Sequence, residues 1–134
     1  MITSEFQSPD LLVSALQKAT ESTFPMARKE ALKLLDIGAG TGMTGEKLVE
    51  RGFTNLEAID LSPKMLAIAE KKNLYQRMVC DSLYNWRNHF SVGQFDIALS
   101  CSVFTPGQVK PNALDEIIWL VKPGKKTSSS LILV

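Results

Sequence analysis

Short apolar runs alternate with amphipathic segments along most of this chain. The apolar runs predict four buried strands, at 34–37, 55–60, 77–80 and 97–104. Helical spacing predicts helices at 9–19, 43–51, 64–72 and 111–121 and a short helix at 84–90, with a linker or broken helix over 20–29. Ser8-Pro9 and Ser62-Pro63 are expected to start the first and third of these helices, each with a capping hydroxyl. Near-continuous apolar strands are typical of a parallel sheet covered on both faces, so the pattern indicates an α/β fold.

The first apolar run ends in three glycines at alternate positions, and a helical segment follows at once. A strand that turns sharply into a helix needs positive φ or a missing Cβ, and a ligand resting on backbone atoms needs a loop without side chains. Gly38, Gly40 and Gly42 therefore predict a ligand-binding loop. Asp60 closes the second apolar run, where a carboxylate can accept both hydroxyl groups of a ribose. The expected ligand carries a ribose.

Two classes of cofactor fit such a loop. Residues 40–45 spell G-x-G-x-x-G, the fingerprint of nicotinamide or flavin dinucleotide sites. Against this, Asp36 is expected at the strand end, and no Lys or Arg lies between 37 and 45. Its carboxylate would repel a pyrophosphate and attract an ammonium and a sulfonium group. Asp36 thus favours S-adenosylmethionine as the ligand. A nicotinamide-dependent oxidoreductase is the alternative for the protein, and a carboxylate that only caps loop amides is the alternative for Asp36.

Five successive motifs resemble those of class I S-adenosylmethionine-dependent methyltransferases. They are LLDIGAGTG at 34–42, IDLSPKML at 59–66, CDS at 80–82, FDI at 95–97 and LVKPG at 120–124. The resemblance covers roughly residues 8–124. Within the class, the chain more specifically resembles the methyltransferase-like proteins named for the Williams-Beuren syndrome chromosomal region. It implies a Rossmann-like parallel sheet with strand order 3-2-1-4-5.

The resemblance also implies how a cofactor would be held. Its expected contacts are Asp36, Gly38, Ala39, Gly40 and Gly42 at the amino-acid moiety, Asp60 and Leu61 at the ribose, Met65, Asp81 and Ser82 at the adenine, and Ser100 at the methyl end. A core methionine at 65 and a solvated loop aspartate at 81 are the competing interpretations. No catalytic side chain is assigned, because direct displacement on a sulfonium depends on alignment more than on acid or base chemistry. His89, without an evident partner, is expected to be structural.

The chain departs from the family pattern after Gly124. A polar stretch, 125–130, precedes a last apolar run of four residues, and the sixth and seventh strands of the complete fold are missing. We therefore expect a shortened or alternatively ended methyltransferase, with its fourth strand covered at best by a short late strand. An open apolar edge there would invite a second copy or a protein partner. A small-molecule acceptor is favoured, because an Asn/Asp-Pro-Pro-aromatic motif is absent at 100–104; a non-catalytic binding or regulatory variant is the alternative.

Composition bounds the remaining possibilities. A chain of 134 residues fits one domain, here 1–134 with a helical cap at 8–30 and an atypical end at 125–134. A net charge of +1 gives no footprint for nucleic acid or an anionic membrane surface, and no apolar run approaches the ~20 residues of a membrane span. Cys80 and Cys101 lack metal-ligand spacing and are expected to be buried thiols. No metal and no secretory signal are predicted, which indicates a cytosolic protein, with the nucleus as a second compartment.

Overall fold

A computed structural model describes residues 2–3, 8–100, 113–121 and 131–133. Its centre is a sheet of six parallel strands in the spatial order β1-β6-β5-β2-β3-β4. The strands are β1 (Ile2–Thr3), β2 (Leu34–Ile37), β3 (Leu56–Asp60), β4 (Arg77–Cys80), β5 (Ile97–Ser100) and β6 (Leu131–Leu133). Numbered from β2, this is the predicted order 3-2-1-4-5, with β1 added at the far edge. The α/β fold and the strand order are confirmed.

Four α-helices and two 3-10 helices join these strands. The α-helices are α1 (Pro9–Thr23), α2 (Met43–Glu50), α3 (Pro63–Glu70) and α4 (Ala113–Leu120), and the 3-10 helices are Lys29–Ala31 and Leu83–Asn88. Among the residues that the structure describes, no helix combines the length and the apolar character needed to cross a bilayer.

The two faces of the sheet are covered by different helices. Successive side chains of a strand point to opposite faces, so Leu34 joins the core cluster formed with α1 and α2, whereas Leu35 and Ile37 join the cluster formed with α4 and the second 3-10 helix. Every residue of β2 and β5 is buried, as the continuous apolar runs predicted. The central strands therefore hold the carboxyl edge of the sheet in place from both sides.

The N-terminal helix differs from the prediction at both ends. It begins at Pro9 as expected, but the Ser8 side chain makes no capping hydrogen bond. It continues to Thr23, so most of the stretch assigned to a linker or broken helix before Pro25 is helical. The guanidinium of Arg51 donates to Gln17 Oε1 (2.8 Å) and Ser14 Oγ (3.3 Å), which ties this helix to the end of α2.

Several apolar positions at helical spacing are not buried. Val49 in α2, Met65 and Ile68 in α3, and Ile118 in α4 remain at least one-third exposed, whereas Leu48, Leu66 and Ile117 of the same helices are buried. A helix that rests on one sheet buries only the stripe facing it. The spacing therefore located the helices correctly but overestimated the width of their buried faces.

The strand at 97–100 is not an open edge. On one side β5 pairs with β2, and on the other Ile97 and Leu99 pair in register with Leu131 and Leu133 of β6. The short late strand thus covers β5, the better of the two outcomes expected, and β1 pairs with β6 beyond it. The expectation of an uncovered β5 is therefore wrong, which removes the reason for expecting a partner along this strand. Residues 101–112 and 122–130, including Cys101 and Phe104, lie outside the described residues.

Candidate functional site

A loop rich in left-handed backbone joins β2 to α2. Gly38, Gly40 and Gly42 have φ angles of 70°, 58° and 90°, values that residues with a Cβ adopt only at a cost. The amide of Gly38 donates to Ile59 O at 2.8 Å, so the loop starts where β3 lies alongside. The predicted bend is present, and it lies at the carboxyl edge of the sheet, where ligands bind in open α/β sheets.

Asp60 braces this loop. Its Oδ2 accepts a hydrogen bond from the Gly40 amide (2.8 Å), and its Oδ1 accepts one from the Ser62 amide (2.8 Å) at the start of α3. The Ser62 hydroxyl in turn accepts from the Met65 amide (3.2 Å), which caps α3 as its sequence predicts. A carboxylate has about four acceptor sites, so Asp60 retains acceptor capacity on both oxygens for ribose hydroxyls.

Asp36 is not at the strand tip but inside the fold. It is the third residue of β2, lies between Ala58 and Leu99 of the neighbouring strands, and is only 2% exposed. Burial raises its pKa from 3.8 to about 7, partly offset by a hydrogen bond from Tyr75 and reinforced by the charge of Asp60. Near pH 7 its negative charge is therefore only partly present, which corrects the expectation of a charged carboxylate at the strand end.

Tyr75 is the partner that sequence reasoning missed. Its hydroxyl group donates to Asp36 Oδ2 at 2.5 Å, across 39 positions of the chain. The ring packs against the core cluster shared with α1 and α2, and burial together with the Asp36 charge raises the pKa of the phenol. Tyr75 lies two positions before the start of β4, and nothing in the neighbouring sequence indicates its contact with Asp36.

Gly45 gave the one signal that could have led to Tyr75. A Cβ at Gly45 would lie 2.7 Å from Tyr75 Cζ and closer still to its hydroxyl oxygen. Gly45, the last glycine of the apparent dinucleotide fingerprint, is therefore explained by the space that the Tyr75 side chain needs. A bound pyrophosphate is not needed to explain a glycine at this position. That removes the main support for the dinucleotide alternative.

Other predicted contact residues surround the same loop. Met65 is half-exposed, and its Sδ lies 3.7 Å from the position that a Cβ on Gly40 would occupy, so the core interpretation of this methionine is wrong. Leu61 is 70% exposed beside Asp60, whereas Ala39 is buried within the loop. A Cβ on Gly42 would meet side-chain atoms of Leu74 and Ala69 at 3.1 and 3.3 Å.

Asp81, at the end of β4, is held by its own neighbours. Oδ1 accepts from the Ser82 amide (2.7 Å) and from Asn85 Nδ2 (2.8 Å), and Oδ2 lies 2.8 Å from His89 Nε2. Hydrogen bonds from Asn85, His89 and Ser82, in that order of effect, lower its pKa from 3.8 to about 2. His89 therefore has an acidic partner after all, and Asp81 is an ordered carboxylate, not a loose loop aspartate.

Ser100 ends β5 beside the loop. It pairs in register with Ile37, the last residue of β2 before the first glycine, and is only 1% exposed. Its hydroxyl has no hydrogen-bond partner among the described residues. A buried polar group without a partner is costly, so this hydroxyl suits a site that a polar ligand completes.

Burial decides the place of two further side chains. Trp86 is fully buried, and its indole donates to Glu116 Oε2 (2.6 Å), so it belongs to the core. Cys80 is exposed, and its thiol lies 3.6 Å from Leu61 O, so the buried-thiol expectation is wrong for it. A cavity of about 520 Å³ lies elsewhere, along the outer side of β4 against α3, from Pro63 to Cys80.

The fold is Rossmann-like, with a glycine loop at the carboxyl edge of the sheet. The sequence model of the methyltransferase domain matches residues 34–124, more than half of the chain. The chain belongs to this methyltransferase domain family. The family predicted from the motifs is thereby confirmed.

A human relative, methyltransferase-like protein 27, is 34% identical over 119 residues, which cover 89% of this chain and 46% of that protein. The chain thus spans less than half the length of this relative. The structure is also similar to CalS10, an amino pentose methyltransferase from Micromonospora echinaspora solved with S-adenosylmethionine. The TM-score is 0.67 at 20% identity, and the match covers 87% of this chain and 48% of the CalS10 chain. The plantazolicin methyltransferase BpumL, solved with S-adenosylhomocysteine, has a TM-score of 0.66 at 20% identity over 85% and 43%. At this identity the two structures establish a shared fold.

Proposed function

We propose that this chain binds S-adenosyl-L-methionine at the glycine loop and acts as a methyltransferase on a small molecule. The observation that carries the proposal is the hydrogen bond from the Gly40 amide to Asp60 Oδ2 (2.8 Å). It joins a glycine loop with positive φ angles and few side chains to a carboxylate that has unused acceptor sites. Loop and carboxylate therefore form one unit shaped for a ribose-bearing ligand.

The surrounding residues fit the other parts of that cofactor. Asp36 lies beneath the loop and, where ionised, favours a cationic amino-acid moiety. Asp81 is already oriented by Asn85 and His89 and can accept a further hydrogen bond from an exocyclic amine. The unpartnered hydroxyl of Ser100 supports a ligand contact at the end of β5.

When bound, S-adenosyl-L-methionine supplies a methyl group on a sulfonium, which a nucleophile can accept directly. The contribution of the chain is then to fix the position and orientation of the cofactor, and such alignment can supply roughly 7 to 11 kcal/mol of the barrier. We assign no general base. His89 is committed to Asp81 and Trp86 to the core.

The acceptor is proposed to be a small molecule. Its support is the sequence at 100–104, which lacks the motif of families that methylate exocyclic or amide nitrogens, together with a structural neighbour described as an amino pentose methyltransferase. The narrower kinship with the proteins named for the Williams-Beuren syndrome chromosomal region, and a cytosolic location, belong to the same proposal.

Calorimetry with S-adenosylmethionine, S-adenosylhomocysteine and the nicotinamide dinucleotides tests the cofactor assignment. Asp60→Asn keeps the size of the side chain but removes its charge and half of its acceptor capacity. We expect it to weaken S-adenosylmethionine binding by about 10- to 100-fold, because a hydrogen bond to a charged group is worth roughly 1.5 to 3 kcal/mol.

Asp10→Asn is the matched control, since Asp10 is exposed on α1 and, within the described part of the chain, forms an ion pair only with Lys47 at 3.4 Å. Its affinity for S-adenosylmethionine should equal that of the unchanged protein. Tight binding of a dinucleotide, or Asp60→Asn within twofold of the unchanged protein, contradicts the assignment. Binding without turnover across a panel of small acceptors would favour the regulatory alternative.

A further inference from the structure

The pair formed by Asp36 and Tyr75 goes beyond the family motifs. Asp36 belongs to the glycine-loop motif, but Tyr75 lies in the segment between α3 and β4, and no part of the proposed function uses it. The two side chains meet beneath the loop, on the sheet face covered by α1 and α2. We propose that Tyr75 is a positioning residue of the cofactor site, whose hydroxyl holds the Asp36 carboxylate under the glycine loop and couples it to the first turn of α2.

The contact with α2 is a close approach of the phenol to Gly45. The Tyr75 hydroxyl donates to Asp36 Oδ2 at 2.5 Å, and a Cβ on Gly45 would lie only 2.7 Å from Tyr75 Cζ. Gly45 lies in the first turn of α2. Tyr75 therefore packs against the start of this helix and donates a hydrogen bond to the buried carboxylate.

The position of Tyr75 is fixed from several sides. The Gln76 amide donates to Leu56 O at 2.8 Å, which ties the backbone next to Tyr75 to β3. The missing side chain of Gly45 leaves the room that the phenol occupies. A hydroxyl held this firmly restricts the rotation of the carboxylate, and it supports the ionised form of Asp36 against the cost of burial.

Few other charges act on this pair. β3 contributes Asp60, which opposes ionisation of Asp36, and α2 contributes Glu46, which forms an ion pair with Lys72 from the segment after α3. On the other side of β2, β5 places Leu99 opposite Asp36, and the α1 residues of the core cluster are apolar. Tyr75 is therefore the one group in this set that stabilises the ionised carboxylate directly.

This inference rests on the proposed function, because a cationic cofactor would bind best when Asp36 is ionised. Below about pH 7.5, where the α-amino group of the cofactor keeps its proton, binding of S-adenosylmethionine should strengthen with rising pH as Asp36 ionises. Tyr75→Phe removes the hydroxyl and keeps the ring. We expect about tenfold weaker binding at pH 7, corresponding to one lost hydrogen bond, with the midpoint of this rise in affinity moved to a higher pH.

A purely structural role would weaken binding equally at every pH, so a Tyr75→Phe profile with an unchanged midpoint overturns the proposal. Asp36→Asn is the second variant. It retains an acceptor for Tyr75 and should abolish the pH dependence of binding below about pH 7.5, where the cofactor itself does not titrate. A pH dependence that persists in that range also overturns the proposal, even if Tyr75→Phe does not fold.

A titration without ligand separates this inference from the proposed function. In protein with 13C-labelled aspartate, the Asp36 carboxyl signal should titrate near pH 7, and at a higher pH in Tyr75→Phe. If the midpoint moves but the protein binds no S-adenosylmethionine, the contact between Tyr75 and Asp36 stands and the cofactor assignment fails. If the cofactor binds and the midpoint does not move, the positioning role fails alone.

Discussion

Two carboxylates at the carboxyl edge of the same sheet have opposite environments. Asp36 on β2 is buried and has one hydrogen bond from a side chain, whereas Asp81 after β4 is about one-quarter exposed and accepts three hydrogen bonds. Their pKa values move from the same reference of 3.8 to about 7 and about 2. Loss of water dominates at the central strand, and hydrogen bonding dominates at the edge strand.

This difference follows from the place of each strand in the sheet. β2 has neighbours on both sides and helices on both faces, so a carboxylate on it loses its hydration. β4 pairs only with β3 among the described residues, and the 3-10 helix after it brings Asn85 and His89 back over Asp81. The same residue type can therefore hold a proton near neutral pH in one position and remain ionised in the other.

The largest effect that tests this contrast is the pH dependence of stability at Asp36. A group with a raised folded-state pKa binds more protons in the folded than in the unfolded state between pH 4 and 7, so its contribution to stability is lost as the pH rises through that window. Asp36→Asn cannot titrate. Relative to the unchanged protein, its free energy of unfolding should gain about 4 kcal/mol between pH 4 and pH 8.

Urea denaturation of both proteins over this pH range provides the measurement. Asp10→Asn, an exposed aspartate whose only partner in the described part of the chain is Lys47, is the control and should show no comparable change. A difference between Asp36→Asn and the unchanged protein that stays constant with pH would mean that Asp36 is ionised throughout, like Asp81.

Gly45→Ala tests the packing around Asp36, the buried carboxylate of the two, through its partner Tyr75. The new methyl group would overlap the Tyr75 ring and hydroxyl, and the core cluster behind Tyr75 leaves little room for the ring to retreat. We expect a loss of about 3 kcal/mol in the free energy of unfolding, the upper end of the range for overpacking. Urea denaturation measures it, with Glu50→Ala at the exposed end of the same helix as the control. A loss below about 0.5 kcal/mol, the range of ordinary surface substitutions, would show that Tyr75 can move aside.

The smallest effect concerns Asp81. Removing the Asn85 amide should raise the pKa of Asp81 more than His89→Gln does, since Asn85 makes the larger contribution. Carboxyl NMR titration of Asn85→Ala and His89→Gln checks this order, with Asn88→Ala in the same 3-10 helix as the control. The stability due to ionised Asp81 is present above pH 4 and is lost as the pH falls through about 2, opposite in sign to that of Asp36. If neither variant moves the titration, hydrogen bonding is not what distinguishes the edge carboxylate.

Local patterns predicted the elements because they reflect local requirements. The glycines at 38, 40 and 42 are needed for positive φ, and Ser62-Pro63 starts α3 with a hydroxyl that accepts from Met65. The apolar runs predicted buried parallel strands, and the motif order predicted their arrangement. The starts and ends of the elements are decided by residues within a few positions of one another, whereas the strand order was implied by the family resemblance.

The burial of individual side chains was harder to predict. Met65 and Cys80 look apolar in sequence yet are exposed, because α3 and β4 lie at the edge of the sheet and have little on their outer side. Ser8 has the right spacing for a helix cap, but its side chain makes no such bond. These outcomes depend on what packs against an element, which its own residues do not encode.

The sequence by itself determined the fold class, the glycine loop and the carboxylates that surround it, since each rests on backbone conformation or on a short motif, and the family resemblance of those motifs implied the strand order. Only the tertiary structure decided how those carboxylates behave. It buried Asp36 under Tyr75 from 39 positions away, joined Asp60 to Gly40, and gave His89 the acidic partner Asp81. Charge state depends on water and neighbours in space, and folding brings those neighbours together from distant parts of the chain.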